Sequence, residues 1–324
     1  MTNWGIIAPG RIANRFAQSF SAIEDSQLFG VASRNKDSAT QFAAKYHIPT
    51  VFDSYADLIA SPHIDAIYIA SPHRFHFDTA KDCLQAGKAV LCEKPLTVTS
   101  DQAKELFAIA QQHNTFLMEA LWSRFLPAWV QIKKWVQEGK IGELETIYST
   151  FGFKAERNYD DRLFNLNLAG GSLLDTGVYN ISLTQFLAQR EPSLVSSHVL
   201  VGETGVDERC SVTLDYGSFT SQFTCSFRTE LDNQMVIQGS KGKIVVPSAF
   251  WDATTAVLHQ DNANLVELHL PYESSGFEYQ VREVQQCLHN GQLYSQVMPP
   301  QQTISTMCIM ESILSNAGIR FPFI

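Results

Sequence analysis

The stretch AVLCEKP, residues 89 to 95, is a run of small apolar residues that ends on Glu93, Lys94 and Pro95. Such a run reads as a strand buried on both faces, so the two charged side chains stand where the core stops. Ligands of open α/β sheets gather at the carboxyl ends of the strands, and an ammonium there suits proton transfer or support of a developing oxyanion. Pro95 has no N–H for a ladder bond, so it ends the strand and fixes the direction of the exit.

A second group of residues lies near the N-terminus, where Gly5-Ile6-Ile7-Ala8-Pro9-Gly10-Arg11-Ile12-Ala13 runs from an apolar strand into a helical pattern. Backbone amides at such a helix start hold a pyrophosphate, and Gly10 lets the backbone come close to it. Ala8 stands where the dinucleotide fingerprint G-x-G-x-x-G/A has its first glycine, and Pro9 removes one amide donor. Ala8, Gly10, Arg11 and Ile12 are the cofactor-binding candidates of this turn. After the second strand the chain reads Ser33-Arg34-Asn35-Lys36. An acidic residue there would accept from the ribose 2′-hydroxyl of NAD, whereas Ser33 and Arg34 suit a 2′-phosphate, so NADP is expected over NAD. The competing account leaves Arg34 and Lys36 solvated. Ser71-Pro72-His73-Arg74-Phe75-His76 follow the fourth strand at the same edge. Ser71, Pro72 and His76 are expected to line the far end of the cofactor, with helix packing as the alternative for His76. Glu93 and Lys94 close the fifth strand, with Lys94 directed at the nicotinamide.

These residues need a frame that brings strand ends together. WGII, LFGVAS, AIYIASP, AVLCEKP and TFLMEA are short apolar runs separated by helical patterns. RIANRFAQSFSA carries Ile12, Phe16 and Phe20 at fourfold spacing, and SDQAKELFAIAQQ opens with Ser100 as N-cap. The alternation predicts an N-terminal Rossmann domain, a doubly wound parallel sheet over residues 1–120. After it LETIYSTFGF, RCSVTLDYGSF, TSQFTCSFRT and QMVIQGSKGKIVV alternate along their length. They predict a C-terminal α/β domain over residues 121–324 with a large, open, mostly antiparallel sheet. GGSLLDTGVYNISLTQFLA, FEYQVREVQQCLHNG and TISTMCIMESILSNAG read as helices of this half.

Composition narrows the class of partner. Of 324 residues, 45% are hydrophobic and 18% charged, and the net charge is -9 without a basic cluster. Nucleic acid and anionic membrane are unfavourable partners for such a surface, and a small molecule is favoured. Six cysteines lie scattered without metal spacing. They are expected to be buried thiols of a reducing compartment, and no metal site is expected. No leader-like segment or apolar span is seen, which predicts a cytoplasmic protein.

CEKP, FLMEALWSRFLP, GGSLLDTGVYN, ETGVD, GSFTSQFTCS and FEYQVREVQQCLHNG together resemble the Gfo/Idh/MocA oxidoreductase family over essentially the whole chain. They are most similar to the branch of dimeric dihydrodiol dehydrogenases, which also oxidise D-xylose with NADP. The resemblance implies that Lys94 sits beside the reacting carbon and that a helix of the second domain supplies an Asp-x-x-x-Tyr pair, here Asp175 and Tyr179. Positions four apart share a helix face, so carboxylate and phenol address one ligand. Oxidising an alcohol by hydride transfer requires a base for the hydroxyl proton. Tyr179 is expected to be the acid/base, Lys94 its activator and substrate-oxygen donor, and Asp175 the orienting carboxylate, with Lys94 as base the nearest rival. The resemblance also places Trp122, Phe151, Trp251 and Phe277 near the substrate; packing in the core or at a dimer interface is the alternative for each. Arg157, Asn158 and Arg162 either contact sugar hydroxyls or, as the charge run suggests, lie on a solvated loop. The implied assembly is a homodimer through an apolar open sheet face. Other polyols, such as an inositol, or a sugar ketone fit the same motifs as substrates, and a nucleotide-sensing regulator without turnover is the alternative of another class.

Overall fold

The buried runs of the first third become one parallel sheet. Its strands are β1 (Thr2–Ile7), β2 (Ser26–Ala32), β3 (Thr50–Phe52), β4 (Ala66–Ile69), β5 (Ala89–Glu93) and β6 (Leu117–Ala120). They lie in the order β3-β2-β1-β4-β5-β6, and each neighbouring pair is parallel. Ile6, Ile7, Ile67, Ile69, Val90 and Leu91 are fully enclosed, as expected of strands covered by helices on both faces. The direction of progression reverses between β1 and β4, which opens a crevice at their carboxyl ends. The computed structural model describes residues 1–261 and 265–324.

The helices between these strands are α1 (Arg11–Ser19), α2 (Lys36–Tyr46), α3 (Tyr55–Ala60), α4 (His76–Gln85) and α5 (Ser100–Gln112). Phe16 of α1 turns inward and stacks on Tyr68 of β4 at 3.8 Å. Side-chain oxygens start three of these helices: Asn35 accepts from Ser38 N, Ser54 from Asp57 N and Thr99 from Gln102 N. The cap of α5 is thus Thr99 and not the expected Ser100, which lies inside the first turn; both residues suit a cap, and backbone extension at Thr99 decides between them. The short β3 has no apolar run long enough to announce it.

A second sheet contains β7 (Leu144–Gly152), β8 (Leu194–Val201), β9 (Asp207–Asp215), β10 (Thr220–Ser226), β11 (Met235–Gly239), β12 (Gly242–Val246), β13 (Thr255–Gln260) and β14 (Val266–His269). Their order is β14-β13-β12-β11-β7-β10-β9-β8. Among the described residues of this sheet, only β7 and β10 pair in parallel; the remaining neighbours are antiparallel. One face is apolar, with Ile147, Val212, Leu214 and Phe223 buried, beside α6 (Pro127–Gln137) and α7 (Val178–Ala188). The other face carries Tyr148, Thr150, Ser211, Thr213, Gln222 and Thr224. The open face is therefore rich in hydroxyls and amides, contrary to the apolar face expected. Threonine suits a strand through its branched Cβ while presenting a polar group outward.

Helix α7 is buried along almost its whole length, so each polar side chain on it needs a partner. Asn180 donates to Ser149 Oγ at 2.8 Å, Gln185 donates to Ser305 Oγ at 2.9 Å, and Thr184 meets Ser221 Oγ at 3.0 Å. Ser182 receives the fully buried Arg124 guanidinium, through its Oγ at 2.9 Å and its carbonyl at 2.7 Å.

Two helices close the chain, α8 (Glu278–His289) and α9 (Pro300–Asn316). The chain divides into two units, Met1–Trp122 with Glu273–Ile304, and Ser123–Tyr272 with Ser305–Ile324. The first unit thus takes back a late segment that the expected division at residues 120 and 121 assigned to the second domain. The reason is packing. Arg15 of α1 donates to Ser275 O at 2.8 Å, Leu117 N of β6 donates to Leu293 O at 3.0 Å, and Thr303 donates to Glu119 at 3.0 Å. Five cysteines are buried, but Cys308 is exposed, because α9 turns it outward. Among the described residues, no helix is long and apolar enough to cross a membrane.

The start of α8 shows how tightly this late segment is held. The buried Glu278 carboxylate accepts from Ser274 N at 3.0 Å, Ser275 N at 3.0 Å and Gly276 N at 2.8 Å. Glu278→Ala leaves these amides without acceptors and is expected to cost roughly 2–4 kcal/mol of stability. Urea unfolding followed by tryptophan fluorescence reads this loss; an unchanged midpoint would mean that water replaces the carboxylate.

Candidate active site

The β1–α1 turn is shaped for a close approach. Ala8 adopts φ 63, the left-handed conformation that the fingerprint normally gives to glycine. Gly10 N donates to Ala8 O at 2.8 Å, and Gly10 leads into α1 without any side-chain cap. A Cβ built on Gly10 would meet nothing nearer than Ala8 O at 3.9 Å, so open space lies beside its α-carbon. With no acidic residue in the first turn of α1, the free amides there suit an anion.

At the end of β2 the two expected cations part ways. Lys36 is bound to Asp53 at 2.5 Å on the exposed surface, whereas Arg34 lies over the Phe75 ring, 5.4 Å from its centroid. Arg74 lies 5.6 Å from the same ring. Tyr55 of α3 faces Arg34 as well: burial pushes its phenol up, and the Arg34 charge opposes that shift. The second strand ends without a carboxylate, and the β4 exit adds a further sign of a ligand. Ser71 Oγ is buried there without a hydrogen-bond partner, which is costly unless something fills the gap. These features fit a dinucleotide.

The β5 exit combines a reactive group with the residues that hold its loop. Lys94 follows the last residue of β5 and is partly buried, and its bond to Pro95 is cis. Glu93, a cofactor-binding candidate from sequence, turns inward; it accepts from Tyr68 Oη at 2.5 Å and from Lys94 N at 3.3 Å. Desolvation pushes its carboxyl up to about 7, against the opposing pull of the Tyr68 hydroxyl and the Lys94 charge. The His76 ring is fully buried, with its nitrogens 2.8 Å from Pro95 O and 2.8 Å from Ser71 O. Burial lowers its pKa while the two carbonyls oppose that shift, and the ring spans the exits of β4 and β5. The structure thereby gives His76 a packing role, because an enclosed ring has no surface for a ligand. Tyr68 was hidden in the apolar run AIYI, where a tyrosine reads as core.

The second unit carries Asp175 and Tyr179 on a buried turn. Leu173–Gly177 forms a π-helical turn that runs directly into α7, and both functional candidates are more than nine-tenths buried. Asp207, at the start of β9, fixes the beginning of this turn: it accepts from Leu173 N at 2.6 Å and from Ser172 Oγ at 2.8 Å. Burial raises its carboxyl to about 6, and these hydrogen bonds oppose the rise. Gly171 adopts φ 125, and a Cβ there would lie 2.1 Å from Asp207 Oδ1. Only a residue without a side chain fits between carboxylate and turn. Only its place in ETGVD marks Asp207 in the sequence.

Arg162 Nη1 donates to Asp175 Oδ1 at 3.0 Å, and Arg157 forms a two-pronged ion pair with Glu208. Tyr159 donates to Glu203 at 2.9 Å. The charge run around them is exposed over residues 156–161, as expected of a solvated loop, but Arg157 and Arg162 strap it to distant carboxylates. The four aromatic candidates separate into two pairs. In the second unit Phe151 stacks on Trp251 at 3.4 Å and tilts against Tyr179 at 5.7 Å. In the first unit Trp122 stacks on Phe277 at 5.0 Å, with Arg15 4.2 Å from the Trp122 centroid. Phe277 is completely enclosed, so its ring supports Trp122 and offers no wall of its own. Among the described residues, no group of three or more His, Cys, Asp or Glu is placed to hold a metal ion.

Glu93 gives a pH test. Its folded pKa of about 7 lies above the ordinary 4.5, so between those values the folded chain binds more protons than the unfolded one. Its contribution to stability is therefore lost as pH rises through that window. Glu93→Gln is expected to flatten this part of the profile, read by urea unfolding across the window; an identical slope in both proteins would show that Glu93 does not titrate there.

Comparison with known proteins follows the same two-part division. Residues 2–121 match the family described as "Oxidoreductase family, NAD-binding Rossmann fold", and residues 129–245 match the GFO/IDH/MocA C-terminal domain. Trans-1,2-dihydrobenzene-1,2-diol dehydrogenase of Xenopus laevis is 35% identical over 333 residues, covering 99% of each chain. The Homo sapiens protein of that name is 32% identical over 328 residues, covering 98% of each. Among solved structures, aldose-aldose oxidoreductase from Caulobacter crescentus complexed with glycerol superposes with a TM-score of 0.89 at 21% identity, over 98% of this chain and 97% of that one. KijD10, a 3-ketoreductase from Actinomadura kijaniata in complex with NADP and TDP-benzene, gives 0.86 at 23% identity over 97% of each chain. At these identities the structures bear on the fold alone, whereas the family matches and the full-length sequence relatives settle membership: the chain belongs to the Gfo/Idh/MocA family of oxidoreductases.

Proposed function

We propose that this enzyme is an NADP-dependent dehydrogenase that oxidises a secondary alcohol of a sugar like D-xylose or of a cyclic trans-dihydrodiol. The observation that carries the reading is the buried Asp175–Tyr179 pair, a carboxylate and a phenol on one turn of a chain whose full-length relatives are dihydrodiol dehydrogenases. When bound, the nicotinamide supplies the two-electron acceptor that takes the carbinol hydrogen as hydride while the C–O bond becomes a carbonyl. Tyr179 takes the proton of the substrate hydroxyl. A free phenol, with pKa about 10, is a poor base at neutral pH, so a nearby ammonium is needed to favour the phenolate. The family resemblance assigns that role, and donation to the substrate oxygen, to Lys94. Asp175 orients the substrate through a neighbouring hydroxyl, and the stacked Phe151 and Trp251 offer a flat apolar surface to a ring.

Gly10, with Ala8, Arg11 and Ile12 around it, holds the pyrophosphate at the open start of α1, and Ser33 and Arg34 hold the 2′-phosphate. Ser71 gives its unpartnered hydroxyl to the same ligand, beside Pro72. Buried free thiols suit a cytoplasmic setting. The hydroxyl-rich open sheet face is the surface for a homodimer, and light scattering showing a monomer at all concentrations would remove that assembly.

Lys94→Ala and Tyr179→Phe are each expected to lower kcat by roughly 10²–10⁴-fold, the range typical of lost proton-transfer catalysis. Turnover of D-xylose and of a trans-dihydrodiol, followed at the NADPH absorbance band, measures this. Retained activity in either variant would remove that residue from the chemistry. Arg34→Asp is expected to move cofactor preference towards NAD, and an unchanged ratio of kcat/KM values would place 2′-phosphate recognition elsewhere.

A further inference from the structure

The turn that carries Asp175 and Tyr179 holds an electrostatic conflict. A carboxylate four residues before a phenol shares its helix face, and a like charge beside a phenolate raises the pKa of the phenol. A tyrosine meant to take a proton near neutral pH is therefore badly placed after an aspartate, unless the carboxylate is compensated.

The compensation comes from the loop after β7. The Arg162 guanidinium donates to Asp175 Oδ1 at 3.0 Å. Its own pKa is raised mainly by the charge of Asp175, with smaller contributions from Asp161 and Tyr179, so cation and phenol feel one another. Further titratable groups around this turn and helix have partners of their own. Asp207 of β9 caps the start of the turn, and Cys225 of β10 faces Ser172 at 3.7 Å. Arg124 binds Ser182 further along α7, and Lys133 of α6 lies over Phe186. Cys210 of β9 donates to Asp207 at 3.3 Å.

The loop is also fixed in advance. Gly171 N donates to Leu163 O at 3.0 Å, and a Cβ on Gly170 would lie 2.8 Å from Arg162 O. The paired glycines let the Arg162 backbone pass directly over the turn. Arg157 on Glu208 and Tyr159 on Glu203 tie down the preceding stretch.

We propose that Arg162 is a positioning residue of the proton-transfer site, one that holds the Asp175 carboxylate and cancels its charge at the Tyr179 phenol. The proposal rests on the reading of Tyr179 as the acid/base, and its test is independent of turnover. The full-length protein labelled with ¹³Cζ-tyrosine is titrated by NMR, with Tyr179→Phe assigning the resonance. Arg162→Gln is expected to raise the Tyr179 midpoint by about one pH unit or more. Arg162→Lys, which keeps the charge, is expected to preserve most of the wild-type midpoint, and Asp175→Asn to lower it. A midpoint unchanged by Arg162→Gln, or a lysine variant that behaves like the glutamine one, overturns the proposal. If Arg162→Gln does not fold, Asp175→Asn decides, and the absence of a downward shift overturns it equally. These shifts in a wild-type protein that oxidises no polyol would sink the dehydrogenase reading and leave the role of Arg162 standing.

Discussion

The second unit depends on one buried carboxylate at a helix start. Asp207 reaches from the first residue of β9 to Leu173 N and Ser172 Oγ, groups that no partner within the turn could satisfy. Its grip sets where the π-helical turn begins, and the turn sets which way Asp175 and Tyr179 face. A buried carboxylate is costly, and its raised pKa shows the cost. The hydrogen bonds offset part of it and give the turn a defined start.

Two solutions to the helix-start problem coexist in this chain. Asn35, Ser54 and Thr99 close α2, α3 and α5 with a side-chain oxygen, and Glu278 closes α8 by folding back on the amides before it. The start of α1 is left to Gly10, which has no side chain to offer. Helices α4 and α6 also start without a side-chain cap, but the start of α1 lies next to a β4 exit where Ser71 Oγ has no partner. In the same unit Glu93 and His76 are drawn into the protein and hold the β4 and β5 exits together, so the loop bearing Lys94 is anchored from beneath.

Much of this architecture was legible in the chain. Apolar runs of four to six residues announced five of the six parallel strands, since burial on both faces leaves no room for alternation. β3, only three residues long, fell below that signal. In the second sheet the alternating segments announced β7, β9, β10, β11 and β12, while the largely exposed β8 and β14 lacked an apolar face to mark them. The likeness of Asp175, Tyr179 and Lys94 to a family motif gave the candidate site, and residue types at the β2 end gave the cofactor preference. Loop charges such as Arg162 were legible only as charges.

The alternation of the first half, the turn at Gly10, the acid-free end of β2 and the family were determined by the sequence alone, because each rests on neighbours within a few residues or on a motif. Tertiary structure decided the rest. It returned residues 273–304 to the first unit, enclosed Phe277 beneath Trp122, paired Lys36 with Asp53 while leaving Arg34 at Phe75, and joined Arg162 to Asp175. Burial and ion pairing depend on which distant segments the fold packs together, and neither spacing nor residue type carries that information.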